Sequence, residues 1–174
     1  MASSGSPQTY AILSILAGAL LAGLYVTLPY FQAFFTLPAI NDISTDLEDP
    51  PVFRDIGVPP YPQTFISLQR NGYPNLESVL VPLPPEQTFD RARDAAIDMG
   101  WRIAAATEPK DGGEGRLEAV VTTRVFRFKD DVAVRLRPAV GGTEVDVRSR
   151  SRVGRHDLGA NAQRIRAFLE RLQR

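Results

Sequence analysis

The sequence has 174 residues, 44% of them hydrophobic, with no cysteine, one histidine and a formal net charge of zero. That length holds about one domain plus accessory segments, and the missing cysteine excludes disulfide frameworks, thiolate metal sites, cysteine nucleophiles and acylated-cysteine anchors. Net neutrality hides a division, −7 over Met1–Gly115 and +7 over Arg116–Arg174, which suits either a basic surface for an anionic lipid or acidic partner, or an acidic linker packed on a basic domain.

After a short tail over 1–9, the stretch from Tyr10 to Phe35, YAILSILAGALLAGLYVTLPYFQAFF, carries no charge. It exceeds the roughly 20 apolar residues that a spanning helix needs and predicts a transmembrane helix over 10–35. Tyr25, Tyr30, Phe31, Phe34 and Phe35 gather toward one end, where aromatic rings sit at headgroup level, and Pro29 and Pro38 mark a kink or exit there. A cleaved signal peptide is the rival reading, but MASSGSPQTY lacks a basic leader and the apolar run is longer than a signal core. Gly18 with Ala22 and Ala19 with Gly23 are small pairs that could seat a neighbouring helix, or ordinary composition. The far flank, NDISTDLEDPPVFRD, places four acidic residues before its first arginine, Arg54. By the positive-inside rule the C-terminal part is expected outside a bacterial inner (plasma) membrane, as a periplasmic domain on a single-pass anchor.

A linker or arm follows over 36–83. Asn41–Pro85 holds nine of the fourteen prolines, which remove backbone donors and favour extended chain. Phe53, Tyr61, Phe65, Tyr73 and Leu76 are interspersed, so the segment reads as an arm lying on the domain rather than a solvated tether. Within it, ESVLVPL could add an edge strand.

The domain proper is expected over 84–174. PPEQTFDRARDAAIDMG spaces Phe89, Ala92, Ala96 and Met99 as a helix, with prolines at its start and Gly100 at its stop. WRIAAAT and RLEAVVTT form a hairpin around EPKDGGEG, and FKDDVAVRLRP and TEVDVRSRSRV form a second around AVGG. The last helix begins near Asp157 as N-cap and aligns Leu158, Asn161, Ala162, Ile165, Phe168, Leu169 and Leu172. The fold class is therefore α+β, in the order α-β-β-β-β-α: a two-layer sandwich of a four-stranded antiparallel sheet with two helices on one face. Its core should include Trp101, Ile103, Leu117, Val132, Val134, Leu136, Val145 and Val147.

Candidate functional residues concentrate in VDVRSRSRVGRHDLGAN and the strand before it. Alternation places Val145, Val147, Ser149 and Ser151 on one face and Asp146, Arg148, Arg150 and Arg152 on the other, which is expected to be exposed. Setting Leu136 opposite Val145 brings Arg135 to Asp146, Asp131 to Arg150 and Asp130 to Ser151, so the arginines can be cross-strand pairs or a binding face. Asp130 and Asn161 lie on apolar sides and need partners, either a network with Ser151 that ties helix to sheet or a ligand-binding notch. His156 has no second ligand for a metal and no nucleophile elbow beside it, and Asp157 is the helix cap. GGEG lacks the lysine and spacing of a phosphate loop, and the basic strand lacks stacking platforms for nucleic acid. No metal or cofactor is implied.

GRLEAVVTTRVFRFKDDVAVRLRP and VDVRSRSRVGRHDLGANAQRIRAFL closely resemble the bacterial and plastid family called domain of unknown function 1499, over roughly Pro82 to Leu172. The resemblance places the family's polar pattern on Asp130, Asp131, Arg148, Ser149, Ser151, Arg152, Gly154, Asp157, Gly159 and Asn161. It implies membrane association and no particular reaction. Many members carry a cysteine-containing segment near the domain start that this chain lacks, and some carry several membrane helices where this one shows one.

The expectation is a bilayer-anchored protein whose outer domain binds a protein partner in a membrane complex, with Asp130, Asp131, Arg148, Arg150, Arg152, His156, Asp157 and Asn161 as candidate binding residues. The alternative is binding of an anionic ligand or lipid headgroup. An enzyme using Asp130 or Asp131 as general base with an arginine clamp is a third reading.

Overall fold

The computed structural model describes residues 7–123 and 126–174. It divides into two compact units, one ending at Leu37 and the other covering Pro38–Arg174. The first six residues of the expected tail lie outside the described residues, and Pro7 already belongs to helix α1 (Pro7–Thr36). Within α1, Ser14–Thr36 is long and apolar enough to cross a membrane, with mean hydropathy 1.6. Three of its hydroxyls are satisfied locally: those of Ser14, Thr27 and Thr36 donate to the carbonyls of Tyr10, Gly23 and Gln32, one turn back. Such bonds keep hydroxyls compatible with hydrocarbon, where no water is at hand.

The second unit contains β1 (Asp42–Ser44), α2 (Phe65–Gly72), β2 (Val79–Val81), α3 (Pro85–Asp98), β3 (Arg102–Thr107), β4 (Gly115–Thr122), β5 (Lys129–Ala139), β6 (Gly142–Ser151) and α4 (Ala160–Leu172). The sheet is antiparallel and has six strands, not the four expected, in the order β1-β6-β5-β4-β3 with β2 also on β6. The long strand β6 explains the difference. Its free edge is shared, Thr143–Val145 pairing with β2 and Arg148–Arg150 with β1. Both additions come from the proline-rich segment, β2 from ESVLVPL and β1 from three residues too short to carry a periodic signal.

The central register is the one alternation gives: Leu136 opposite Val145, Arg135 opposite Asp146, Asp131 opposite Arg150 and Asp130 opposite Ser151. One face, with Leu117, Val132, Val134, Leu136, Val145 and Val147, is buried against α3 and α4. There the apolar stripe of α4 closes the core, and Trp101 stacks on Phe168 with ring centroids 4.9 Å apart. Ile103 is only half-buried, because β3 is the open edge strand and its pairing with β4 slips between Ile103 and Ala105. Helix α3 ends as its sequence directs: Gly100 takes φ 75°, its N–H donates to Ile97, and that of Trp101 donates to Ala96.

The opposite face is not the solvated one that two helices on a four-stranded sheet would leave. Residues 42–62, here called the strap, lie across it. The strap's own edge is closed by α2, where Gln69 accepts from the Ser44 N–H, donates to the Ser44 carbonyl and accepts from the Tyr61 hydroxyl. A side chain thus stands where another strand would add, which blunts an exposed edge.

Close backbone approach marks the junction of β2 and β6. Gly142 has φ 154°, and a Cβ there would lie 2.1 Å from the Val81 carbonyl oxygen. Gly57 also has positive φ, 72°, but opens into free space. Gly142→Ala should therefore detach β2 and cost about 3 kcal/mol, whereas Gly57→Ala costs roughly 1 kcal/mol, the ordinary left-handed penalty. Urea midpoints of the two variants check this, and equal losses would refute the close approach.

Candidate functional site

The polar residues singled out in the sequence occupy four places. Arg148, which alternation assigns to an exposed face, does lie on that face of β6, yet it is 0% exposed. The strap covers it. Its Nε and Nη2 donate to the two carboxylate oxygens of Asp42 at 2.9 and 2.7 Å, and its Nη1 and Nη2 also donate to the carbonyls of Pro51 and Pro59 at 3.3 and 2.9 Å. The rings of Phe53 and Tyr61 have their centroids 5.1 and 5.5 Å from the guanidinium carbon. Arg150, one pleat along, approaches Asp42 at 3.7 Å from a partly exposed position. Burial pushes the Asp42 carboxyl up, while hydrogen bonding and charge from Arg148, and charge from Arg150, pull it back. The guanidinium stays charged whatever its surroundings, so the site amounts to a fixed cation wrapped by chain.

The strap repeats this pattern along the sheet. Arg135 donates to Asp146 beside it and to Asp49 and Asp46 of the strap at 2.7 and 3.0 Å, and Arg137 joins Asp46, Asp146 and Glu144. Asp146 is buried and also accepts from the Ser78 hydroxyl. In the reverse sense, the buried Glu118 of β4 accepts backbone N–H groups of Arg54, Asp55 and Ile56. Acidic strap and basic sheet therefore neutralise each other, which is the packed-linker reading of the −7/+7 division.

Asp131 is Arg150's Cα partner, but its carboxylate pairs with Arg152 on the diagonal, at 2.6 to 3.1 Å. This bond is the main cause that raises the Arg152 pKa.

On the helix face, Asn161 uses all of its hydrogen-bonding capacity. Its Oδ1 accepts from the Ser149 hydroxyl and Arg164, and its Nδ2 donates to the Ser151 hydroxyl and the Asn41 carbonyl. Asp130 and Asn161 are linked through Arg164, whose guanidinium reaches Asp130, Ser149 and Asn161. Arg164 and Ser149 are missing from the network as the sequence suggests it. The signal for Arg164 was present: a buried Asp130 needs a cation, and Arg164 stands three residues from Asn161 on α4.

His156 and Asp157 belong to the β6–α4 loop. The N–H of Leu158 donates to His156 Nδ1, and Asp157 accepts from the N–H groups of Gly159 and Asn161. Asp157 thus caps the first turn of α4 although the regular helix starts at Ala160, with Gly159 at φ 83° before it.

Two concavities lie elsewhere. A notch of about 170 Å³ sits between the strap and β4–β5, at Arg54, Arg116 and Glu118. A wider groove of about 620 Å³ runs along Asp46, Glu48, Arg70, Leu76, Glu77 and Glu144. None of the eight candidate residues lines either one. Among the described residues no cluster of three or more histidine, aspartate or glutamate side chains could hold a metal ion.

The strap is integral to the domain, and this bears on where relatives begin. The family described as "Protein of unknown function (DUF1499)" matches residues 42–172. The chain belongs to this family. The DUF1499 match starts at Asp42, the residue that neutralises Arg148, and so includes the strap as well as the sheet and helices from Pro82 onward. No curated protein matches the chain, and no solved structure does.

Removing one partner of a buried ion pair leaves the other uncompensated. Arg148→Ala and Asp42→Asn should each lower stability by about 3 to 5 kcal/mol, and Asp42→Leu/Arg148→Met should cost less than the sum of the corresponding single changes. Chemical denaturation in detergent measures this, and strictly additive losses would mean that the pair is not coupled.

Asp46 gives the strap a pH dependence. Burial works to raise its pKa, but the N–H groups of Asp49 and Glu48 and the charges of Arg135 and Arg137 outweigh that, and the carboxyl lies below its ordinary value of 3.8. A carboxyl depressed in the folded state supports folding above its unfolded pKa, and that support is lost as pH falls through the folded value. Below pH 3.8 the urea midpoint of the natural chain should therefore fall more steeply than that of Asp46→Asn. Parallel curves would show that Asp46 contributes nothing.

Proposed function

We propose that this DUF1499 protein spans a bacterial inner membrane once, holds its domain on the periplasmic side, and binds a protein partner as an accessory module of a membrane complex. The observation that carries the reading is how charge is distributed. Asp42, Asp130, Asp131, Asp146, Arg135 and Arg148 are paired within the domain and consumed in holding strap, sheet and helix together. The groove keeps acids open to solvent: Glu77 is exposed and pairs with no cation among the described residues, and Glu48 meets only Arg70, at 3.6 Å. With the exposed Pro74 beside these acids, the groove suits a partner segment that combines basic and apolar side chains.

The natural absence of cysteine makes the topology testable. Val140→Cys, at the fully exposed tip between β5 and β6, is expected to react with a membrane-impermeant maleimide in intact cells; protection until lysis would place the domain in the cytoplasm. A photo-crosslinking side chain at Glu77 is expected to capture one stoichiometric partner in native membranes, with none captured from Val140. Glu77→Lys with Glu48→Lys should reduce recovery of that partner by roughly tenfold. A lone protomer in mild detergent, with no adduct, would remove the partner reading.

A further inference from the structure

The end of the sheet where β4 turns into β5 presents large apolar side chains to solvent. Phe126 and Phe128 stack on each other with centroids 5.6 Å apart, yet they are 73% and 48% exposed. The backbone holds them there: the N–H of Thr123 donates to the Phe128 carbonyl, and the N–H of Phe128 to the Thr123 hydroxyl. The pairing of Asp130 with Ser151 and the bond from the Arg152 N–H to the Lys129 carbonyl bring the start of the β6–α4 loop alongside. That loop adds Val153, 60% exposed. Arg127, Lys129 and Arg155 are exposed around these three apolar groups and pair with no carboxylate among the described residues. The nearby acids, Asp130 and Asp131, are buried and already paired with Arg164 and Arg152.

We infer that this tip, made by Phe126, Phe128 and Val153 with Arg127, Lys129 and Arg155, inserts into the headgroup region of an anionic bilayer. Aromatic rings and cations on one narrow projection match the two parts of such a surface, apolar below the headgroups and negative at them. A second copy of the chain is a poor occupant, since its own tip brings the same unpaired positive charges. The inference rests on the reading of α1 as a spanning helix. Each cation close to an anionic leaflet strengthens attachment by roughly fivefold, and salt weakens that attraction.

The test uses the full chain reconstituted in vesicles, with an indole introduced by Phe126→Trp as the probe; the natural Trp101 is buried against Phe168 and supplies a constant background. With phosphatidylglycerol mixed into phosphatidylcholine, the new indole should shift to the blue and be quenched several-fold more by brominated acyl chains than in phosphatidylcholine alone. Raising salt, or combining Arg127→Glu, Lys129→Glu and Arg155→Glu, should abolish the difference. An indole that stays accessible to iodide in anionic vesicles overturns the inference, as does quenching that the triple charge reversal leaves unchanged. A blue shift that follows protein density without quenching by brominated lipid overturns it in favour of self-association. Resistance to carbonate extraction reads α1 separately: a chain that stays integrated while the indole remains in water refutes the tip alone, and a chain that carbonate releases refutes the spanning helix.

Discussion

A guanidinium cannot be neutralised by losing its proton at any ordinary pH, and Arg148 lies in the interior with no access to water. Everything about the strap answers that constraint. Moving such a charge out of water costs several kcal/mol unless a counter-charge and hydrogen-bond acceptors meet it. Here one carboxylate, two carbonyls and two aromatic rings meet it, and all of them come from residues 42–61. The prolines fit this task. Pro51 and Pro59 turn carbonyls toward the arginine in extended chain that makes no ladder of its own. The pairing of β1 with β6 puts Asp42 opposite Arg150 and beside Arg148, so the strand and the ion pair fix each other's register.

The two faces of the sheet solve different problems. The helix face is an apolar core with one polar seam, Asp130–Arg164–Ser149–Asn161–Ser151, in which Asn161 saturates both its donors and both its acceptors. A fully satisfied seam of this kind fixes how α4 sits on β6, since a shift of one turn would strand each member. The strap face is an ionic layer in which acids from the N-terminal part meet arginines from the C-terminal part. Removing the strap would leave Arg148 without its carboxylate, and Arg135 and Arg137 with only Asp146 and Glu144 of β6.

How much of this was legible depended on the range over which each signal acts. Alternation and short hairpins are local, and they set the register of β5 against β6 down to Asp130 opposite Ser151. The stripe of α4 and the glycine stop of α3 were equally readable. Exposure of the Arg148 face was not, because its cover is supplied from 106 residues away by a three-residue strand, DIS, with no period of its own. The charge division between the two parts of the sequence was the trace of that cover, although composition alone could not say which acid meets which arginine. In the polar seam, Asp130, Ser151 and Asn161 were visible as apolar-side misfits. Arg164 was signalled only indirectly, through the cation that a buried Asp130 requires, since a charged residue on a helix flank looks solvated until the helix is docked.

The long separation between Asp42 and Arg148 also sets an order of events in time. Ribosomal synthesis delivers α1 and the strap first, whereas β6, on which both β1 and β2 must pair, comes near the end. Loop closure over such distances is slow compared with forming hairpins or helices. The apolar helix is thus available to a membrane while the residues behind it are still unstructured, and the hairpin of β5 and β6 is the template on which the strap finally closes. Domain completion is thereby deferred to the arrival of a strand made more than a hundred residues after the anchor.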